Sequence, residues 1–172
     1  MRILIGNCFS FAASVFMSLG AFTDKRRSMF IFQLLDCLLL AIAQLIFGVP
    51  SGAVALFLGV FRNLCILLGG YNLFAMIAFS CATLMLGLAA NSSGLLGAIP
   101  IGATLLLTVG MYYARGVTAT KTVIFLNLIL WSVYSFLIFD FATGISNSVS
   151  AIICAITLLT GIFSREKERE HT

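Results

Sequence analysis

Seven long apolar stretches divide the chain, at 3–22, 29–48, 53–69, 73–90, 95–113, 122–141 and 145–163. None alternates apolar with polar residues, as a barrel strand between lipid and lumen would. A helix of about 20 mostly apolar residues crosses roughly 30 Å of hydrocarbon, so the pattern predicts seven transmembrane helices. The breaks between them are short and polar or glycine-rich: Thr23–Ser28, Val49–Gly52, Gly70–Asn72, Asn91–Gly94, Ala114–Lys121 and Ala142–Gly144. Connections this short make consecutive helices antiparallel neighbours. The third stretch is short and holds Arg62, which predicts tilt or local thinning of the bilayer there.

Composition points the same way. Of 172 residues 61% are hydrophobic and 9% charged, whereas soluble domains carry about 25% charged residues. A water-soluble core of this size has no room for so much apolar surface. The net charge of +4 does not indicate a nucleic-acid partner, because the basic residues sit in short runs between the apolar stretches. The five cysteines all fall inside those stretches with no CxxC spacing, so they read as small apolar packing residues. The start, Met1-Arg2-Ile3, is followed by no small-x-small cleavage pattern and is expected to stay as a helix.

Charge placement then sets orientation. Lys25, Arg26 and Arg27 lie in the first connection, Arg115 and Lys121 in the fifth, and Arg165, Lys167 and Arg169 in the tail. Seven crossings put all three segments on one side, and the connections on the other side carry no charge. Six crossings would split them. The excess of Lys and Arg on cytoplasmic connections predicts N-out, C-in, with Arg2 outweighed by the first connection. A shift of 94 positions lays Arg27-Ser28 on Lys121-Thr122, Gln33 on Asn127, and the 48–52 turn on 142–146. The expected architecture is therefore all-α: two parallel three-helix bundles joined by a linker helix. Its parts are a first bundle at 1–72, a linker transmembrane helix at 73–94, a second bundle at 95–163 and a charged cytoplasmic tail at 164–172.

Polar residues inside spans cost several kcal/mol and usually face a protein interior. Asp36 and Arg62 sit at one depth in the hairpin turning at Val49–Gly52, about 10 Å below the cytoplasmic edge, where they can form a charge pair. Such a pair either pins the hairpin or serves as a gate or proton site. Gln33, Asp36, Leu40 and Gln44 share about 80° of the second helix, and Asn127, Trp131, Tyr134 and Ser135 about 100° of the sixth. Serine and threonine stripes elsewhere, including Thr104 with Thr108 and Asn147 with Ser150, fit ordinary close packing. The bulkier set, Asn127, Trp131 and Tyr134, suits a polar organic ligand that stacks and hydrogen-bonds. Candidate substrate-binding residues are thus Gln33, Asp36, Gln44, Asn127, Trp131 and Tyr134. Asp140 reads as a solvated anchor at the outer end of its helix, Pro100 and Gly102 as a kink or notch, and His171 as part of the solvated tail. No GxxxxGK[ST], HExxH or GxSxG motif occurs and His171 is the only histidine, so no enzyme activity, cofactor or metal is expected.

The segments Arg26-Arg27, Gln33-Leu34, Gly48-Val49-Pro50-Ser51-Gly52-Ala53 and Arg62-Asn63 resemble the first half of the YgjV family of small bacterial inner-membrane proteins. Arg115-Gly116-Val117-Thr118, with Trp131 beyond it, resembles the second half. The resemblance covers roughly 25–63 and 115–165 and implies a multi-pass protein of the bacterial inner membrane. Gln44 and Tyr134 stand where family members can carry His, so no role for a titrating imidazole is implied. The three-plus-one-plus-three plan is also similar to that of PQ-loop, SWEET and PnuC transporters, although the proline-glutamine signature is absent. The expected function is a transporter or facilitator of a small polar metabolite by alternating access, passive or ion-coupled. The alternative is a membrane-embedded binding or scaffold subunit working with partner proteins. The expected partners are the lipid bilayer, a small-molecule substrate and further copies of the chain in a homo-oligomer.

Overall fold

The computed structural model describes residues 2–138 and 140–170, with side chains over 4–20, 22–138 and 140–160. Among them every regular element is an α-helix: α1 Arg2–Phe22, α2 Arg26–Phe47, α3 Pro50–Leu67, α4 Leu73–Ala89, α5 Leu95–Tyr113, α6 Val117–Leu137 and α7 Phe141–Glu170. Five of these are long and apolar enough to cross a membrane, namely α2, α3, α5, α6 and the Phe141–Thr160 part of α7. The remaining two have apolar cores of 17 residues, Leu4–Gly20 and Leu73–Ala89, about 26 Å each at 1.5 Å per residue. His171 lies outside the described residues.

The distribution of side chains is that of a protein solvated by lipid. Large apolar groups point outward, among them Phe11, Leu45, Phe61, Phe74, Met85 and Leu95. Small and polar groups point inward, including Ala13, Ala41, Ala53, Ala103, Ser10, Ser51, Asn63 and Ser150. Small inward residues let helix backbones approach closely, which is how membrane helices gain packing energy without a hydrophobic effect between them. Gly52 shows the need directly: a Cβ there would lie 2.9 Å from Gln44 Oε1 on the facing helix.

Six helices close a ring by neighbour contact, in the order α1, α2, α3, α5, α6, α7 and back to α1. The seventh, α4, packs against α3 and α5 and buries little beyond Thr83 and Gly87. One end of the ring is tied by charge. Lys121 Nζ meets Asp24 Oδ1 at 2.9 Å, and Arg26 Nη2 donates to the Ala114 carbonyl at 3.1 Å. These two contacts join the α1–α2 and α5–α6 connections. The Tyr71 hydroxyl, in the α3–α4 connection, donates to the Thr108 carbonyl at 2.6 Å. Burial pushes that phenol up to about 12, so it keeps its proton and stays a donor.

Helix boundaries recur along the chain with an offset of 91. Arg26 and Val117 open α2 and α6, Pro50 and Phe141 open α3 and α7, and Phe22 and Tyr113 close α1 and α5. Backbone hydrogen bonds repeat in the same register. Met29 N to Lys25 O matches Thr120 N to Gly116 O, and Val49 N to Gln44 O matches Asp140 N to Ser135 O. The 94-position alignment is therefore replaced. It arose because α6 starts at Val117 rather than near 122: Gly116, at φ 87°, is its N-cap, and Thr118, Thr120 and Lys121 lie within its first five residues.

Asp140 also departs from expectation. It is 9% exposed and its Oδ1 accepts from Thr143 N at 3.2 Å, an N-cap bond that satisfies an orphan donor at the start of α7. It is a buried cap rather than a solvated anchor.

Candidate functional site

The inner face of the ring leaves a space of about 30 Å³. That is room for a water molecule and falls far short of the roughly 300–1,000 Å³ of small-molecule pockets. All six ring helices contribute to its wall, from Met17 on α1 to Asn147 on α7, whereas α4 contributes nothing. The wall is mixed: apolar Leu40, Leu56, Leu107 and Leu128, and polar Gln33, Asp36, Arg62, Thr104, Asn127 and Asn147.

Four of the six residues read from sequence as substrate-binding meet here: Gln33, Asp36, Asn127 and Trp131. The stripe on α2 brings Gln33 and Asp36 inward at helical spacing, and the stripe on α6 does the same for Asn127 and Trp131. Gln44 and Tyr134 do not line the space. Gln44 is buried two turns beyond Asp36 and packs on Gly52 at the hairpin turn. Tyr134 packs edge-to-face on Trp131, with ring centroids 5.7 Å apart, and supports that ring from behind. Sequence stripes report a face of a helix and not a depth, which is why these two were grouped with the others. Cys37, Gly59 and Asn147 also line the space. Of these, Asn147 had a visible signal in the polar stripe of α7; Cys37 had none.

The Asp36–Arg62 pair requires a correction. Both residues are buried and both line the space, but no ion pair within 4.0 Å forms between them; among the described residues the one such pair is Lys121–Asp24. Arg62 instead turns to neutral acceptors. Its Nε and Nη2 donate to Asn63 Oδ1 at 3.2 and 3.0 Å, and Nη1 donates to Thr108 Oγ1 at 3.3 Å. The Thr108 hydroxyl in turn donates to the Thr104 carbonyl at 2.7 Å. The guanidinium thus links α3 to α5, while Asp36 Oδ1 has no hydrogen-bond partner.

The 91-residue offset runs through the wall itself. Asp36 corresponds to Asn127, Cys37 to Leu128, Leu40 to Trp131 and Leu56 to Asn147, and all eight residues line the space. Equivalent positions of two helical hairpins therefore face each other across it, carrying different chemistry. No cluster of three or more His, Cys, Asp or Glu that could hold a metal ion occurs among the described residues.

Residues 4–164 match the family model Imp-YgjV, described as a bacterial inner membrane protein. No curated protein and no solved structure matches the chain.

Proposed function

The chain belongs to the Imp-YgjV family of bacterial inner membrane proteins, and we propose that it is a transporter or facilitator of a small polar metabolite. It is a multi-pass protein of that membrane. In the proposal all seven helices cross, N-out and C-in, so that the end tied by Lys121–Asp24 and Arg26–Ala114 is cytoplasmic. Helices α1–α3 and α5–α7 form two parallel units, and α4 lets both insert with the same orientation. The chain works without a cofactor and performs no covalent chemistry on its cargo.

The observation that carries this reading is the space with a mixed polar and apolar wall between the two units, lined by equivalent positions of each. A site on the seam between repeats can open to either side when one unit rocks against the other. At about 30 Å³ the present space corresponds to a closed form, and cargo enters only when the units part. On the cytoplasmic side the parting breaks Lys121–Asp24 and Arg26–Ala114, since these bonds span from α1–α2 to α5–α6.

Cys37 offers a direct test because it lines the space. A chain retaining Cys37 and no other cysteine is placed in right-side-out and in inverted vesicles, then treated with a membrane-impermeant thiol reagent. Alternating access predicts labelling from both faces, with more from the cytoplasmic face in Asp24→Asn. Labelling from neither face, in protein whose Cys37 reacts normally once denatured, would reject the reading.

A further inference from the structure

We propose that the cavity binds a small zwitterion, its ammonium on Asp36 and its carboxylate on Arg62, so that the cargo is amino-acid-like. The inference rests on the transport reading and narrows it.

Two opposite charges line one space, 7% and 1% exposed, and do not pair with each other. Burying a charge without a close counter-charge is costly, so the arrangement is one that a ligand can improve. Each end has unused capacity. A guanidinium has five N–H groups; Arg62 uses one on Nε, one on Nη1 and one on Nη2. One N–H remains on each of Nη1 and Nη2, the fork that takes a carboxylate through two parallel bonds. At the other end, three buried oxygens without partners belong to residues of the cavity wall: Asp36 Oδ1, Gln33 Oε1 and Asn127 Oδ1. A primary ammonium carries three N–H donors. The numbers match.

Net charge separates the candidates. A lone cation satisfies Asp36 and leaves Arg62 uncompensated in a low-dielectric space; a lone anion does the reverse. A sugar satisfies neither charge. A zwitterion neutralises both groups and adds no net charge to the membrane interior. The short hydrocarbon between its charged ends would lie against Leu40, Leu128 and Trp131.

The test is thermal unfolding of purified, dialysed full-length protein in detergent. The probes are glycine, β-alanine and γ-aminobutyrate, beside glycinamide (cation only), N-acetylglycine (anion only), glucose and uridine. The expected result is a rise in Tm of several degrees with at least one amino acid and none with its singly charged analogues. That rise disappears in Asp36→Asn. The analogue comparison uses unaltered protein, so it decides even where the variant fails to fold. Equal stabilisation by a singly charged analogue overturns the proposal. Stabilisation by glucose or uridine alone also overturns it, while leaving transport standing; so does a flat response in protein whose Cys37 labels from both faces. An amino-acid response in protein whose Cys37 labels from neither face supports the site and removes transport.

Discussion

The α2–α3 and α6–α7 hairpins share their helix starts and turn hydrogen bonds and differ in chemistry. Their turns are built on matching hydrogen bonds: Val49 N to Gln44 O and Ala53 N to Val49 O in one, Asp140 N to Ser135 O and Gly144 N to Asp140 O in the other. Each hairpin nevertheless starts its second helix in its own way. The first uses Pro50 at the opening position of α3, where a missing N–H costs nothing; the second uses the Asp140 cap on Thr143 N. Their seams differ as well. Ser132, Ser148 and the Gly144 carbonyl form a hydroxyl cluster in the second hairpin, where the first has Ala41, Phe57 and Ala53. At the cavity the first hairpin carries Asp36 and Arg62; the second carries Asn127 at the position of Asp36, while Ile153, at the position of Arg62, does not line the cavity. The same turn hydrogen bonds accompany either set. The charges are therefore not shared by the two hairpins, which is what the proposed binding role for Asp36 and Arg62 requires.

Exchanging residues between equivalent positions tests that conclusion, and the largest effect belongs to Arg62→Ile, which writes Ile153 into the first hairpin. It removes three hydrogen bonds, orphans Asn63 Oδ1 and leaves Asp36 without its opposite charge, at a cost of about 3–5 kcal/mol. Folded yield by fluorescence-detected gel filtration and Tm should both fall. Adding Asp36→Asn should recover part of the loss, the part due to an uncompensated buried carboxylate, while the orphaned Asn63 Oδ1 remains. Strictly additive losses would show that the two charges do not sense each other across the cavity. Asp36→Asn alone keeps the size and shape of the side chain. It leaves Arg62 without its opposite charge but keeps all three Arg62 hydrogen bonds. It should therefore lower Tm less than Arg62→Ile does and lower cargo binding at least about tenfold, the worth of one charge-assisted bond. A large fall in Tm with binding intact would assign Asp36 to the scaffold.

How much of this was legible before the structure follows from the solvent. Hydrocarbon demands long apolar helices with satisfied backbones, so helix number and most boundaries could be read from apolar run length alone. The start of α6 could not, because Lys121 looks like a loop residue until Asp24 is known to meet it. That contact joins residues far apart in sequence, and no local pattern encodes it. The shared depth of Asp36 and Arg62 followed from hairpin geometry, and the cavity does contain both. Their failure to touch did not follow, because Asn63 and Thr108 offer Arg62 acceptors in positions that only tertiary packing defines. Pattern located the polar faces; packing decided which members of each face reach the centre.

Trp131→Leu is the intermediate case, since it installs the residue that the first hairpin carries at position 40. The indole is 7% exposed and meets Tyr134 at an interplanar angle of 87°. Loss of that contact and of buried volume should cost about 2 kcal/mol, seen as a lower Tm without loss of membrane insertion. The enlarged space should also weaken binding of the smallest cargo more than that of a longer one. Equal weakening across chain lengths would mean that Trp131 supports the wall without facing the ligand.

The smallest effect is expected at Ser132→Ala, which writes Ala41 into the second hairpin. Ser132 Oγ donates to the Gly144 carbonyl at 3.0 Å or shares a proton with Ser148 Oγ at 2.6 Å. Ser148 already donates to the Gly144 carbonyl at 2.8 Å, so that oxygen keeps a partner after the change. Interhelical hydrogen bonds in membranes contribute about 0.6 kcal/mol on average, and the first hairpin holds its helices together at this position with alanine. Tm should fall by a degree or two and Cys37 labelling should be unchanged. If Ser132→Ala instead altered labelling from one face, the α6–α7 seam would be part of the moving element. The two hairpins would then differ in mechanics as well as in the groups they present to the cavity.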